Sequence, residues 1–346
     1  MSILAIGDLH IQLDNLADIN VFLKQLEKYL QTVKVDLIIN LGDTLHTHET
    51  VHTPCLNKML EYIRLCEKYA PTYVLVGNHD YQNNAQYLTD NHPFVGWKKS
   101  HNIVDRVISI NLKGYKIVML PYVPDGRFQE ALHTEEFKDA KCIFAHQLLN
   151  GAKMGAITAK DVEDWPLDFP MVISGHIHDK QHPQPNLYYT GSSIQVSFGE
   201  REDHTISLIT LSEGPVQIQD VNIDPPTKKT VYFDISKVSE MKLPAQENTK
   251  LKVSISGDAE EFKTFKKTEQ YKSLIKDGVK VVFKQKRCVQ PNLPSTHLKS
   301  FHDILYSLVS DVPGMMDMYR EAFDHTEDLS HPPTACNPPS VEIVFT

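Results

Sequence analysis

Tyr73-Val74-Leu75-Val76-Gly77-Asn78-His79-Asp80 is the stretch on which the fold turns. A short apolar run stops at a glycine and delivers an amide, an imidazole and a carboxylate in succession. An α/β protein presents its chemistry in this way, at the carboxyl end of a buried strand. The same design recurs at 3–6 before Gly7-Asp8-Leu9-His10 and at 37–41 before Gly42-Asp43. It appears again at 142–145 before His146 and at 172–174 before Gly175-His176-Ile177-His178. The expectation is five strands whose carboxyl ends share one edge of a sheet and gather a polynuclear metal site there.

Between these runs the spacing turns helical. Ile19, Phe22, Leu23, Leu26 and Leu30 recur on one face, and the chain then enters the second strand, which makes a β-α-β unit. Thr53-Pro54 reads as an N-cap followed by proline at the first helical position, ahead of Leu56, Met59, Leu60, Ile63 and Cys66. Residues 104–110 and 115–120 read as strands. The alternation in 205–211 and 216–221 predicts a second, antiparallel-type sheet, packed face to face with the first inside a layer of helices. Pro225-Pro226-Thr227-Lys228-Lys229 marks a domain edge. Past it, a strand at 250–256, a helix at 259–274 and a strand at 279–285 make a small β-α-β domain. Leu298, Phe301, Ile304, Leu305 and Leu308 then form a stripe on a helix, and a proline-rich tail ends in the apolar residues 341–345. The fold class expected is α/β (α+β). It comprises a two-sheet sandwich at 1–225, a small domain at 226–290, a helical segment at 291–330 and a tail at 331–346.

The totals bound the function. A chain of 346 residues suits roughly two domains. Its net charge of −9 argues against a protein coated in basic residues, so a grip on nucleic acid has to come from a local patch, from bound cations or from a partner. Cys55, Cys66, Cys142, Cys288 and Cys336 are scattered and form no C-x-x-C pair, which points to a reduced, cytoplasmic setting. Neither a signal peptide nor a run of roughly 18 apolar residues is expected.

Carboxylate, amide and imidazole donors make a borderline ligand set, better suited to manganese, iron or zinc than to magnesium or calcium. Two metals about 4 Å apart need a ligand that bridges them, and a carboxylate has two oxygens and a negative charge. Asp43 takes that role. Asp8 and His10, two residues apart just after a strand, can converge on one ion. His176 and His178 have the same spacing and can each serve a different ion. Any one of these motifs alone is commonplace in turns; the ordered series is not. His48, His52 and His182 read as polar loop histidines.

The series Asp8-x-His10, Gly42-Asp43, Gly77-Asn78-His79-Asp80, His146 and Gly175-His176-x-His178 resembles the calcineurin-like metallophosphoesterase superfamily. Gly42-Asp43-Thr44-Leu45-His46 is similar to the SbcD-type, or Mre-eleven-like, DNA double-strand-break repair nucleases within it. So are Tyr189-Thr190-Gly191-Ser192 with Phe198-Gly199-Glu200, and the small domain, which matches that group's capping domain in position. Two departures stand out: Gly7 where the family often has Ser or Thr, and Ile11-Gln12 where it often has Gly.

The resemblance implies two divalent ions, Mn2+ first, with Mg2+, Fe2+ or Zn2+ as other occupants. One ion is held by Asp8, His10, Asp43 and His178, and the other by Asp43, Asn78, His146 and His176. It makes His79 the catalytic acid, oriented by Asp80, and lets His46 position the phosphate or the proton path. It further implies a 3′-5′ exonuclease on duplex DNA that is also a single-strand endonuclease, and an SbcC-type coiled-coil ATPase docked on the C-terminal helices. A homodimer through residues 53–69 is implied as well. The short build resembles phage-encoded versions, which act in the host cytoplasm. Lys98-Lys99, Lys228-Lys229, Lys266-Lys267 and Lys284-Gln285-Lys286-Arg287 are the candidate grips on DNA, with no membrane involved. The rival reading is a metallophosphoesterase acting on small phosphodiesters or nucleotides. A non-catalytic scaffold is opposed by the filling of every motif position.

Overall fold

The computed structural model describes residues 1–244, 248–286, 308–310, 314–316 and 319. Most of the stripe beginning at Leu298, the cation Arg287 and the tail at 341–345 lie outside the described residues, and so do the predicted docking helices for the greater part. The chain divides into two compact units. One comprises Met1–Val231 with Lys242–Lys252, and the other Tyr232–Met241 with the residues from Val253 onward.

The first unit is a sandwich of two six-stranded sheets. The first sheet runs in the order Gln217–Val221, Ile206–Thr210, Ser2–Ile6, Leu37–Asn40, Thr72–Leu75 and Asn102–Val104. Its last four strands are parallel, and the strand Ile206–Thr210 pairs antiparallel with Ser2–Ile6. The second sheet runs Gln181–Gln184, Leu187–Tyr189, Met171–Ser174, Cys142–Ala145, Tyr115–Met119 and Ile108–Leu112, with the middle four parallel.

The side-chain period of two explains why the strands read as unbroken apolar runs. Ile3 and Ala5 point between the sheets, where they meet Ile117, Met119, Phe144 and Ile173. Leu4 and Ile6 point the other way, against Ile19, Phe22, Leu26, Met59 and Ile63 from the helices Leu16–Leu30 and Thr53–Glu67. On the far side of the second sheet, Val118, Ile143 and Val172 are covered by Phe128, Leu132 and Trp165. Each such Leu, Ile or Phe contributes about 1.5 to 3 kcal/mol by leaving water, and the four layers hold the strand ends rigid.

In the first unit, four expectations about its elements need correction. The five site strands do not share one sheet: three belong to the first and two, Cys142–Ala145 and Met171–Ser174, to the second. A strand buried on both faces shows only an apolar run, which carries no record of its neighbours. The strands at 206–210 and 217–221 form no second sheet either, but extend the first along its antiparallel edge. The run 104–110 is two strands in different sheets, Asn102–Val104 and Ile108–Leu112, parted at Asp105, whose buried carboxylate is tied to His92 and Lys98. The cap of Thr53–Glu67 is His52, with Thr53 inside the helix.

Strands Thr227–Asp234, Thr249–Gly257 and Lys280–Gln285 form a three-stranded sheet in that order. In the second unit the helix expected at 259–274 is two, Ala259–Phe265 and Glu269–Lys276. Asp258 caps the first by accepting from the backbone N–H of Glu260 and Glu261, and Thr268 caps the second by accepting from Tyr271. Phe262 stacks on Phe283 with ring centroids 4.3 Å apart, which joins the first helix to the last strand. No helix among the described residues is long and apolar enough to cross a membrane.

Candidate metal centre

The carboxyl ends of the two sheets in the first unit meet, and the motif residues meet with them. Asp8, His10 and His178 bring one donor atom each within 4.8 Å of one another, and so do Asp43, His146 and His176. Asn78 joins the second group, with Oδ1 3.0 Å from His146 Nε2 and 2.9 Å from His176 Nδ1. Asp43 stands between the groups: Oδ2 is 3.5 Å from His10 Nε2 and Oδ1 is 3.3 Å from His146 Nε2. All seven expected ligands are therefore brought together, with Asp43 between the two groups.

Holding them there distorts the backbone. Asp8, His10, Asp43 and His176 all have left-handed φ, at 42°, 44°, 48° and 77°. Residues with side chains rarely take that conformation, at a cost of roughly 1 to 3 kcal/mol each. It persists because the loops are pinned to one another. His10 N–H donates to Asp43 O at 2.9 Å, His176 N–H to Asp8 Oδ1 at 3.0 Å, and His79 N–H to Asp43 Oδ1 at 2.8 Å. Asp80 pins a third loop: its buried carboxylate accepts from the backbone N–H groups of Thr44, Leu45 and Gly77. The expectation that Asp80 orients the His79 ring is thus corrected; its oxygens are used by three backbone donors, and His79 Nδ1 donates to His46 O instead, at 2.7 Å.

Two glycines are there because backbones come close. A Cβ on Gly77 would lie 2.2 Å from Asp43 Oδ1. One on Gly7 would lie 2.5 Å from Gly191 O.

The donor set fits cations. Asp8 Oδ2 is buried without a hydrogen-bond partner, an arrangement that costs about 1 to 3 kcal/mol or more unless a ligand satisfies it. Two ring nitrogens, His10 Nε2 and His178 Nε2, face each other at 2.9 Å, and His146 Nε2 and His176 Nδ1 do so at 3.3 Å. Burial, aided by His146, pushes His176 down to about 3, so its lone pair is free. Burial also lifts the Asp8 carboxyl to about 6, a rise that a bound cation reverses. Burial opposes charge on His146 too, but the Asp43 carboxylate outweighs it and raises that imidazole to about 9.

Partners behind the ligands set their orientation. His146 Nδ1 donates to Leu41 O at 2.7 Å, leaving Nε2 toward Asp43 and Asn78. Asn78 Nδ2 donates to Asn84 Oδ1 at 3.4 Å, which turns Oδ1 inward. His178 Nδ1 donates to Glu200 Oε1 at 3.0 Å. Glu200 was visible in the sequence only as part of the Phe198-Gly199-Glu200 motif, with no role.

His46 and His79 stack beside the ligands, with centroids 5.4 Å apart and planes 11° apart. His48, read from the sequence as a loop histidine, belongs to the same group of rings: it stacks on His79 at 4.6 Å, and its Nδ1 donates to Tyr81 O at 3.2 Å. Only its even spacing after His46 hinted at this. His182 packs on Tyr188 instead, the rings tilted by 32°. Among the candidate grips, Lys98 is engaged by Asp90 and Asp105, Lys229 by Glu202 and Lys286 by Asp234. Lys228 is buried and donates to Val196 O at 2.6 Å, so it cannot reach a phosphate; its place beside Lys229 after two prolines concealed this.

Residues 1–180 match the calcineurin-like phosphoesterase family. The chain is 42% identical to protein 244L of Invertebrate iridescent virus 6, across 77% of this chain and 98% of that protein. To protein 078R of Invertebrate iridescent virus 3 it is 38% identical, across 87% of each chain. Both relatives are named as phosphoesterases. To a component of the SbcCD nuclease of Staphylococcus epidermidis it is 23% identical, across 91% of this chain and 83% of that protein.

Proposed function

Since the chain belongs to the calcineurin-like phosphoesterase family, a group that uses divalent metals, we propose that this phosphoester hydrolase is a manganese-dependent DNA nuclease. It cleaves phosphodiesters as a 3′-5′ exonuclease on duplex and an endonuclease on single strands, as the nuclease component of an SbcCD-like repair complex with a coiled-coil ATPase. The observation that carries the reading is the double donor group: Asp8, His10 and His178 on one side, Asn78, His146 and His176 on the other, and Asp43 between them. The likeness to the Staphylococcus nuclease component over most of the chain supports the choice of a nuclease.

In this reading Asp8, His10, Asp43 and His178 hold one cation, and Asp43, Asn78, His146 and His176 the other. When bound, the cations supply positive charge to the phosphodiester and acidify the water that attacks it. The rest falls to the chain. His79 is half-buried, and its Nδ1–H is fixed on His46 O, so Nε2 is the nitrogen left to move a proton. As the attacking water oxygen bonds to phosphorus, its proton released to solvent, and the bond to the 3′-oxygen breaks, the doubly protonated His79 ring gives its Nε2 proton to that oxygen and is left neutral with Nδ1–H on His46 O. His46 and His48 hold the ring between them.

A second reading, hydrolysis of small phosphodiesters or nucleotides, is favoured by the two viral relatives, whose names specify no nuclease. Incubation of end-labelled duplex, and separately of bis-(4-nitrophenyl) phosphate, with Mn2+ and with either wild type or His79→Ala tells them apart. Stepwise shortening of the duplex that the variant loses supports the nuclease. Turnover of the small ester with an intact duplex replaces it by the second reading.

A further inference from the structure

A groove of about 680 Å³ opens beside His176 and His178, walled by residues 197–201 on one segment and 153–155 on another. Its volume lies in the range of small-molecule sites and exceeds what a single phosphoester requires. We propose that this groove is a subsite for a second phosphate, the one next to the phosphoester being cleaved, and that Lys153 and Arg201 hold it. The proposal rests on the reading of the adjoining metal centre as a phosphoester hydrolase.

Both cations stand on clamped backbone with their heads in solvent. Lys153 N–H donates to Gln181 Oε1 at 2.7 Å, and its carbonyl accepts from Gln181 Nε2 at 2.8 Å. Arg201 O accepts from His204 Nε2 at 2.7 Å, one residue after Glu200, which is itself bound to His178. Each side chain is exposed. The nearby acids are already matched: Glu200 accepts from His178 and from Val196 N–H, and Glu202 pairs with Lys229 at 3.1 Å. Asp179 is the remaining acid on the wall, against the two cations. An anion entering from solvent therefore meets two positive heads on fixed roots, one of them a guanidinium that suits two phosphate oxygens at once. Met154, 41% exposed on the same wall, offers an apolar surface to the nucleoside between the two phosphates.

The test compares substrates with one phosphate and with two. Wild type, Arg201→Gln and Lys153→Gln are assayed with Mn2+ on bis-(4-nitrophenyl) phosphate, on a thymidine dinucleotide and on the same dinucleotide carrying a 5′-phosphate. Each variant is expected to lower kcat/KM for the 5′-phosphorylated dinucleotide, relative to the small ester, by about tenfold, with the loss in KM. Thymidine 5′-diphosphate added as an inhibitor shows whether a free nucleotide is held as well as a strand; inhibition of the wild type that weakens in the variants assigns the free nucleotide to the same two cations, and absence of inhibition restricts the subsite to a strand. A ratio that does not move in either variant overturns the subsite and leaves the hydrolase reading intact. Failure of the wild type to turn over any of the three substrates overturns the hydrolase reading, and the subsite with it.

Discussion

His178 places Nδ1 3.0 Å from Glu200 Oε1 and Nε2 2.9 Å from His10 Nε2. The carboxylate accepts from Nδ1–H, so the lone pair on Nε2 is aimed at the point His10 also faces. Burial works against charge on both groups, yet their hydrogen bond prevails: Glu200 is held below the usual carboxylate range, and His178 is raised. Glu200→Gln keeps the shape and removes the charge. Mn2+ affinity at the position shared with Asp8 and His10 is expected to fall about tenfold or more, as is usual when a partner behind a metal ligand is lost. Calorimetric titration that finds both positions at wild-type affinity removes Glu200 from the site.

Asp43 faces both donor groups, so its loss affects both. Asp43→Ala is expected to leave no tightly bound Mn2+, where two ions are expected in the wild type, and to abolish hydrolysis. Elemental analysis after dialysis reads this directly. One ion retained means that the groups are independent and that Asp43 does not bridge them.

The stacked imidazoles separate binding from proton transfer. His79→Ala is expected to lower kcat on DNA by about a hundredfold or more, the scale of a lost general acid, with two Mn2+ ions still bound. His48→Ala, which leaves the His79 ring free on one face, is expected to lower kcat by roughly tenfold with KM little changed. If either variant loses metal in proportion to activity, its ring belongs to the ligand set.

How far the site could be read from the chain depends on what each residue follows. Asp8, Asp43, Asn78 and His176 come straight after apolar runs that end in glycine or near it, and buried strands ending together were enough to suggest one pocket. His146 follows its strand without a glycine, and only the fold shows that its Nε2 meets Asn78. Glu200, in a loop with no periodicity, gave no sign that it would bond a ring 22 residues earlier. The sheets were harder. Ile206–Thr210 alternates as an edge strand of either sheet would, and its partner, Ser2–Ile6, lies some two hundred residues away. Register across that distance leaves no local mark. The break at Lys266-Lys267-Thr268 was legible in principle, since a threonine three residues before Tyr271 is a cap, but the apolar stripe ran on past it.

Asp105 gives a pH test of the scaffold apart from the metal site. It follows the strand Asn102–Val104, its side chain only 2% exposed, and accepts from His92 Nε2 at 3.1 Å, from Lys98 Nζ and from Arg106 Nε at 3.2 Å. Burial alone pushes a carboxyl up, but the bonds from His92 and Lys98 outweigh it and hold Asp105 below the usual range. A carboxyl depressed in the folded state stabilises fully above its unfolded pKa of about 3.9, and that stabilisation is lost as pH falls from there through the folded value. Asp105→Asn removes the charge from the acceptor of His92 Nε2–H and leaves Lys98 with Asp90 alone, so a loss of about 2 to 4 kcal/mol is expected near neutral pH. Below about pH 4 the wild type begins to lose this contribution, so the gap between the two proteins should narrow steadily as the pH falls further. Urea midpoints for both, measured from pH 7 down to pH 2, decide it. A gap that stays constant across that range means that the amide disturbs packing and that the carboxylate's charge contributes nothing.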